Sequence, residues 1–201
     1  MIKNLIFDVG DVLLSYRWHQ IMIDHGLTPE ETQAFWDKFF WDGHWDMYDA
    51  GKYNTEEFKK FMSDLYPEEA ENIDYLLTHM ELMPIPRPKV WEKVSRLKSE
   101  KGYNLYILSN YPMEMFNCHT KQITCMKDMD GIVVSGAVHK TKPNLDIYEH
   151  ILKEYDLDPS ESMFFDDREV NIEGARAAGI NGTVIESEEF LLKLLDEYLE
   201  K

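Results

Sequence analysis

Apolar and polar positions divide this chain into two patterns. Asn4 to Phe7 is a continuous apolar run, as expected of a strand covered on both faces. From Ser15 to about Pro84 the chain is rich in helix formers and aromatics, with no strand signal. Thr28-Pro29-Glu30-Glu31 has capping-box spacing with proline in the first turn, so a helix starts there. Asn54-Thr55-Glu56-Glu57 is a second helix start. Pro84-Ile85-Pro86-Arg87-Pro88 then favours extended backbone and marks a junction.

Beyond the junction the two periodicities alternate. Helices are predicted over Lys89 to Lys101 (stopped by Gly102), Pro112 to about Met126, Leu145 to Tyr155, Glu169 to Ala178 (stopped by Gly179) and Glu188 to Leu199. Strands are predicted over Asn104 to Leu108, Gly131 to Ser135, Ser162 to Phe165 and Thr183 to Ile185. Such alternation predicts an α/β fold with a doubly wound, parallel, Rossmann-like sheet. Residues 1–15 and 85–201 form its core, and residues 16–84 form a small inserted helical cap domain. In these folds ligands bind beyond the carboxyl ends of the strands. Asp8, Ser109 and Asp166-Asp167 all follow apolar runs and fall at those ends. The insertion leaves just after the first strand, so it emerges at the same edge and can cover it.

Bulk composition narrows the partners. The chain has 201 residues, 44% hydrophobic and 29% charged, enough for one core and a small accessory domain. Its formal net charge of -17 repels nucleic acid and anionic membrane, so neither is expected as a partner. A phosphorylated small molecule would be repelled too, unless a lysine or a metal ion supplies local positive charge. Cys118 and Cys125 are too few for a disulfide framework and have no zinc-site spacing. Asp8 and Asp11 interrupt the apolar start, which argues against a secretion signal or a membrane span. A cytoplasmic protein is expected, as a monomer or a homodimer.

A carboxylate at the exit of a buried strand is costly unless it has a partner or a task. Here an acid, a hydroxyl, a lysine and an acidic pair follow in order as Asp8, Ser109, Lys142 and Asp166-Asp167. That set describes a phosphoryl-transfer site. Two adjacent carboxylates repel without a cation, which itself argues for a metal. The four stretches are Phe7-Asp8-Val9-Gly10-Asp11-Val12, Leu108-Ser109-Asn110, Lys142-Pro143 and Phe165-Asp166-Asp167-Arg168-Glu169-Val170-Asn171. In this order, with a helical insertion after the first, the chain resembles the haloacid dehalogenase-like superfamily, in its helical-cap subgroup. The first stretch is similar to that of bacterial sugar phosphatases of the glucose-1-phosphatase type.

The resemblance implies a role for each position. Asp8 matches the nucleophile that forms an aspartyl-phosphate. Ser109 matches the hydroxyl that holds a phosphoryl oxygen, with Asn110 assisting through backbone or side chain. Lys142 matches the neutralising lysine, with Lys140 as its rival. The cofactor implied is Mg²⁺, with Asp8, Asp167 and the backbone carbonyl of Gly10 as ligands. Asp166 would ligate directly or support a ligand, and Asn171 would orient the cluster. Gly10 departs from the pattern: most phosphatases of the family carry there an aspartate that protonates the leaving alcohol. Asp11, a cap residue or nothing takes its place.

Within the cap, Trp41, His44, Trp45 and Tyr48 share one helical face that suits sugar binding or the cap's own core. Arg17 could meet phosphate or lie on the surface. The function expected is a magnesium-dependent phosphatase of a small phosphomonoester, such as a hexose phosphate. The alternatives are a non-catalytic phosphate-ester-binding protein of the same fold and a 2-haloacid dehalogenase.

Overall fold

The computed structural model describes residues 1–41 and 43–200, with Trp41 by its backbone alone. The chain begins with β1 (Asn4–Phe7) and β2 (Leu14–Tyr16). Five helices follow: α1 (Trp18–His25), α2 (Pro29–Trp41), α3 (His44–Asp49), α4 (Thr55–Leu65) and α5 (Ala70–Thr78). It returns through β3 (Pro84–Pro86) and continues as α6 (Pro88–Lys101), β4 (Asn104–Ser109), α7 (Met113–His119), β5 (Gly131–Val134) and α8 (Ser135–Val138). The last elements are α9 (Leu145–Glu154), β6 (Ser162–Asp166), α10 (Glu169–Ala177), β7 (Asn181–Val184) and α11 (Glu188–Glu200).

The main sheet has the order β5-β4-β1-β6-β7 and every pairing in it is parallel. Both faces are covered, and the strands alternate strictly between them. Leu5, Phe7, Leu105, Ile107 and Phe165 pack on one side with Val94 and Leu97 of α6 and Leu191 and Leu195 of α11. Ile6, Tyr106, Leu108 and Phe164 pack on the other with Ile147 and Ile151 of α9 and Ile172 of α10. From β1 the chain builds outward to β4 and β5 first, and only later crosses to β6 and β7. β1 is therefore the place where the winding reverses, and the crevice of a doubly wound sheet opens at its carboxyl end.

Between β2 and β3 lies the helical insertion, built around an aromatic core. Tyr48 stacks on Phe58 at a centroid distance of 4.4 Å, and Phe35 stacks on Phe39 at 5.2 Å. The two helix starts read from the sequence are both present. Glu31 N donates to Thr28 Oγ1 at 3.2 Å, and Asn54 closes a reciprocal capping box with Glu57 at the head of α4.

Two expectations are corrected. β2 and β3 form an antiparallel ribbon, Leu14 with Pro86 and Tyr16 with Pro84, where no strand was expected after Ser15. Three-residue strands carry no readable period, and a two-stranded ribbon tolerates proline because its outer edges need no donors. The helix expected over Pro112 to Met126 ends at His119 and gives way to 3₁₀ turns at Thr120–Gln122 and Thr124–Asp128. There Thr120 Oγ1 donates to Phe116 O at 2.7 Å and competes with the helical ladder.

Arg87 ties the ribbon to the core. It is buried, and its Nη1 donates to Asp11 O at 2.5 Å and Val12 O at 3.1 Å. Arg87→Ala strands these carbonyls, so a loss of about 2–3 kcal/mol is expected in urea unfolding.

Candidate active site

Strand ends bring the predicted residues together. Asp8 follows β1, Ser109 ends β4 and Asp166 ends β6, three neighbouring strands in register. Asp8 Oδ1 accepts from Ser109 Oγ at 2.6 Å and from its neighbour Val9 N at 2.7 Å. It also meets Lys142 Nζ at 3.0 Å. Among the described residues no donor reaches Oδ2, so one carboxylate oxygen is anchored and the other is left available.

Lys142 is the cation of the site. Its ammonium is buried and donates to Asp166 Oδ2 at 2.6 Å and Leu108 O at 3.1 Å as well as pairing with Asp8. Burial opposes its charge, but Asp166 and Asp8 outweigh that and hold its pKa above the ordinary lysine value. The Lys142–Pro143 peptide is cis. Asn110 clamps the Lys142 backbone from both sides: its Nδ2 donates to Lys142 O and its Oδ1 accepts from Lys142 N, each at 2.9 Å. That commits the Asn110 side-chain amide to the lysine. Lys140, the rival, reaches Asp146 O on the surface instead.

The acids form one cluster. Carboxylate oxygens of Asp8, Asp166 and Asp167 lie within 4.8 Å of one another. Asp166 is fully buried and saturated: besides Lys142 it accepts from Asn171 Nδ2 at 2.9 Å and Arg168 N at 2.9 Å. Asp167 faces the cleft and has no ion pair among the described residues. With all three acids ionised, three carboxylates against one ammonium leave two negative charges (-3 + 1 = -2). Burial, opposed by Lys142 and aided by Asp166 and Asp167, pushes the Asp8 carboxyl up to about 7. Burial and the charge of Asp166 push Asp167 up to about 6. Asn171 Oδ1 is buried without a hydrogen-bond partner. An all-oxygen set with surplus negative charge and an orphaned carbonyl oxygen fits a hard divalent cation such as Mg²⁺.

A cleft of about 480 Å³ opens above this cluster, lined from the core by Asp8, Gly10, Asp167 and Arg168 and from the cap by Trp45 and Asp49. Gly10 is not in the left-handed region; the left-handed residue is Asp11, at φ 47°. Asp11 lines the cleft, but its carboxylate accepts from Ser15 Oγ at 2.8 Å and lies 3.8 Å from Arg87. Tyr16 crowds the position at Gly10. A Cβ there would stand 3.2 Å from the ring and hydroxyl of Tyr16.

The other predicted residues separate. Arg17 is not among the cleft-lining residues and pairs with Asp24. Trp45 faces the cleft, Tyr48 is fully buried and His44 packs beside Phe61 at 5.1 Å. The Trp41 side chain lies outside the described residues. Sequence reasoning did not single out Tyr16, Asp46, Asp49, Tyr111 or Arg168, which also line the cleft. Arg168 and Tyr111 were within reach, because they adjoin the acidic pair and Asn110.

These features define the class. The chain belongs to the haloacid dehalogenase-like hydrolase family, whose model matches residues 2–179. It is 27% identical over 188 residues, 89% of either chain, to the D-ribitol-5-phosphate phosphatase of Bacteroides thetaiotaomicron. It is 25% identical over 181 residues, 90% of this chain and 88% of the relative, to the sesquiterpene phosphatase astK of Aspergillus oryzae. In fold it is similar to a haloacid dehalogenase family enzyme of Bacteroides thetaiotaomicron solved with magnesium and inorganic phosphate. The TM-score is 0.73 at 22% identity, covering 94% of this chain and 96% of that one.

Protons compete with a metal for Asp8 and Asp167. Their raised values, about 7 and about 6, make cation binding strengthen as pH rises through that range. Mg²⁺ at about 100 times its Kd is expected to raise the melting temperature by on the order of 5 °C at pH 8. The rise should shrink toward zero at pH 5, and Asp167→Asn should abolish it at both. Thermal melts with Mg²⁺ and with chelator check this.

Proposed function

We propose that this chain is a Mg²⁺-dependent phosphomonoester hydrolase working through an aspartyl-phosphate on Asp8. The observation that carries the reading is the half-anchored carboxylate: Oδ1 is held by Ser109, Lys142 and Val9, and Oδ2 is left for phosphorus. Attack by Oδ2 forms the Asp8–phosphorus bond as the bond to the leaving oxygen breaks, and water then cleaves the acyl phosphate. Lys142 offsets the charge gathered at Asp8 and the phosphoryl group. The Ser109 hydroxyl, at 2.6 Å from Asp8 Oδ1, is placed to turn to a phosphoryl oxygen. Asp8, Asp167 and the Gly10 carbonyl would hold the ion, while Asp166 and Asn171 orient Lys142 and the cluster. When bound, Mg²⁺ neutralises phosphoryl charge and lets a dianion approach a carboxylate.

In this reading residues 1–15 and 85–201 carry the chemistry and residues 16–84 select the substrate. The substrate is a small polyhydroxylated phosphate ester, a hexose or sugar-alcohol phosphate. Trp45 lines the cleft wall, and one relative is a D-ribitol-5-phosphate phosphatase, which supports this class. The two free thiols fit a reducing, cytoplasmic setting, and no described helix is long and apolar enough to cross a membrane. Carbon–halogen hydrolysis needs no metal, so the acid cluster weighs against it.

Hydrolysis of p-nitrophenyl phosphate is expected with Mg²⁺ and not with chelator, and Asp8→Asn should lose at least about 10³-fold in kcat. Metal-independent turnover of 2-chloropropionate, or phosphate-ester binding without turnover, would overturn the reading. On a panel of hexose and pentitol phosphates, Trp45→Ala should raise KM roughly tenfold and leave kcat on p-nitrophenyl phosphate within about twofold.

A further inference from the structure

The proposed reaction needs a proton for the leaving oxygen and a base for the hydrolytic water, and Gly10 supplies neither. The space a side chain would take at that position is filled by Tyr16, 3.2 Å from the Cβ site. Tyr16 is not free to donate. The Met80 carbonyl must accept from His119 Nε2 at 2.7 Å, so His119 Nδ1 is the acceptor of the Tyr111 hydroxyl, also at 2.7 Å. Tyr111 has then spent its proton, and Tyr16 must donate to it. Burial lowers the His119 pKa to about 4, which keeps this chain of bonds in one direction near neutral pH.

Four acids besides Asp8 line the cleft: Asp11, Asp46, Asp49 and Asp167. Asp11 is engaged with Ser15, and Asp167 belongs to the metal cluster. Asp46 is exposed. Asp49, at the end of α3, is partly buried, and its carboxyl has no hydrogen bond or ion pair among the described residues. Its backbone, by contrast, is fixed to the core. Ser135 Oγ donates to Asp49 O at 2.6 Å, and His139 Nδ1 lies 3.0 Å from Ala50 O. At Gly51, with φ 71°, a Cβ would stand 2.5 Å from Gly136 O. This staple joins the cap to the core beside the cleft. Burial above all, then the carboxylates of Asp46 and Asp8, raises the Asp49 pKa well above the usual carboxylate range, against the opposing charges of Lys142 and Arg168.

Resting on the phosphatase reading above, we propose that Asp49 is the acid–base residue of this active site, supplied by the cap in place of position 10. As the bond between phosphorus and the leaving oxygen breaks, the Asp49 carboxyl gives its proton to that oxygen and the alcohol departs. The Asp49 carboxylate then takes a proton from water as the water oxygen bonds to phosphorus. The Asp8–phosphorus bond breaks, inorganic phosphate forms, and Asp49 is protonated again.

The test uses the full chain with Mg²⁺, phenyl phosphate and p-nitrophenyl phosphate, the latter having a leaving group that needs no proton. Asp49→Asn is expected to lose about 10²–10⁴-fold in steady-state rate on phenyl phosphate. On p-nitrophenyl phosphate it should release about one equivalent of p-nitrophenol in a burst and then stall at the phosphoenzyme, detectable by intact mass. The native chain should show no burst. A native-like Asp49→Asn overturns the assignment, as does an equal loss on both esters without a burst, which would mark a displaced cap. A burst in Tyr16→Phe with a native-like Asp49→Asn moves the role to Tyr16. If Asp49→Asn fails to fold, Asp49→Ser is read by the same two criteria. Native chain without turnover on either ester overturns the phosphatase reading and this assignment together.

Discussion

One buried ammonium organises this protein. Lys142 sits between the ends of three strands, bound to Asp8 after β1, to Asp166 at the end of β6 and to Leu108 O in β4. Removing its charge from water is costly, and the contacts repay that only because every partner is placed by rigid backbone. The sheet provides that rigidity. β1 is flanked by β4 and β6 in register, so residues about a hundred and more apart in sequence arrive side by side. The Asn110 amide then locks the lysine backbone against the loop after β4. With that one cation in place the acid cluster is still under-neutralised, and this surplus makes it a site for a divalent ion.

The charge of the whole chain gives the site its selectivity problem. A net charge of -17 repels any phosphate at long range. Attraction must therefore be local, from Lys142, from the divalent ion that the acids would hold and from Arg168 at the cleft wall. The cap lines the same cleft with aromatic and acidic side chains. Short-range links join cap and core at several places, among them the Arg87-anchored ribbon, the staple of Asp49–Gly51 to Ser135–His139, and Thr55 N, which donates to Glu114 at 2.8 Å.

The core was legible because its elements are periodic and its polar residues are placed against the pattern. Strand assignments for β1, β4, β5 and β6 lie within a residue of those observed, and Gly102 ends α6 in the left-handed region at φ 75°. Asp8, Ser109, Lys142 and Asp166 stood out as polar groups beside apolar runs or proline, and they meet in one cluster. The β2–β3 ribbon escaped because each strand is three residues long and its partner lies about seventy residues away. The aromatic spacing of the cap was visible, although the single helical face it implied is broken between Trp41 at the end of α2 and His44, Trp45 and Tyr48 on α3. Which of these residues faces the cleft was not visible, because both a binding face and a core face show the same spacing.

The sequence by itself determined that the sheet is parallel and doubly wound and which groups stand at its carboxyl edge, since hydrophobic periodicity and turn chemistry are local properties; its strand order came from the tertiary structure. Only the tertiary structure decided how those groups divide their tasks. The Asn110 side chain is committed to Lys142, Asp11 turns to Ser15, and Tyr16 fills the space at Gly10. Each of these depends on a close approach between distant segments, at distances of a few ångströms that no pattern along the chain encodes. Asp49 is the clearest instance: an acid on a cap helix with nothing in its neighbours to mark it, brought into the same cleft as Asp8 only by the packing of one layer on another.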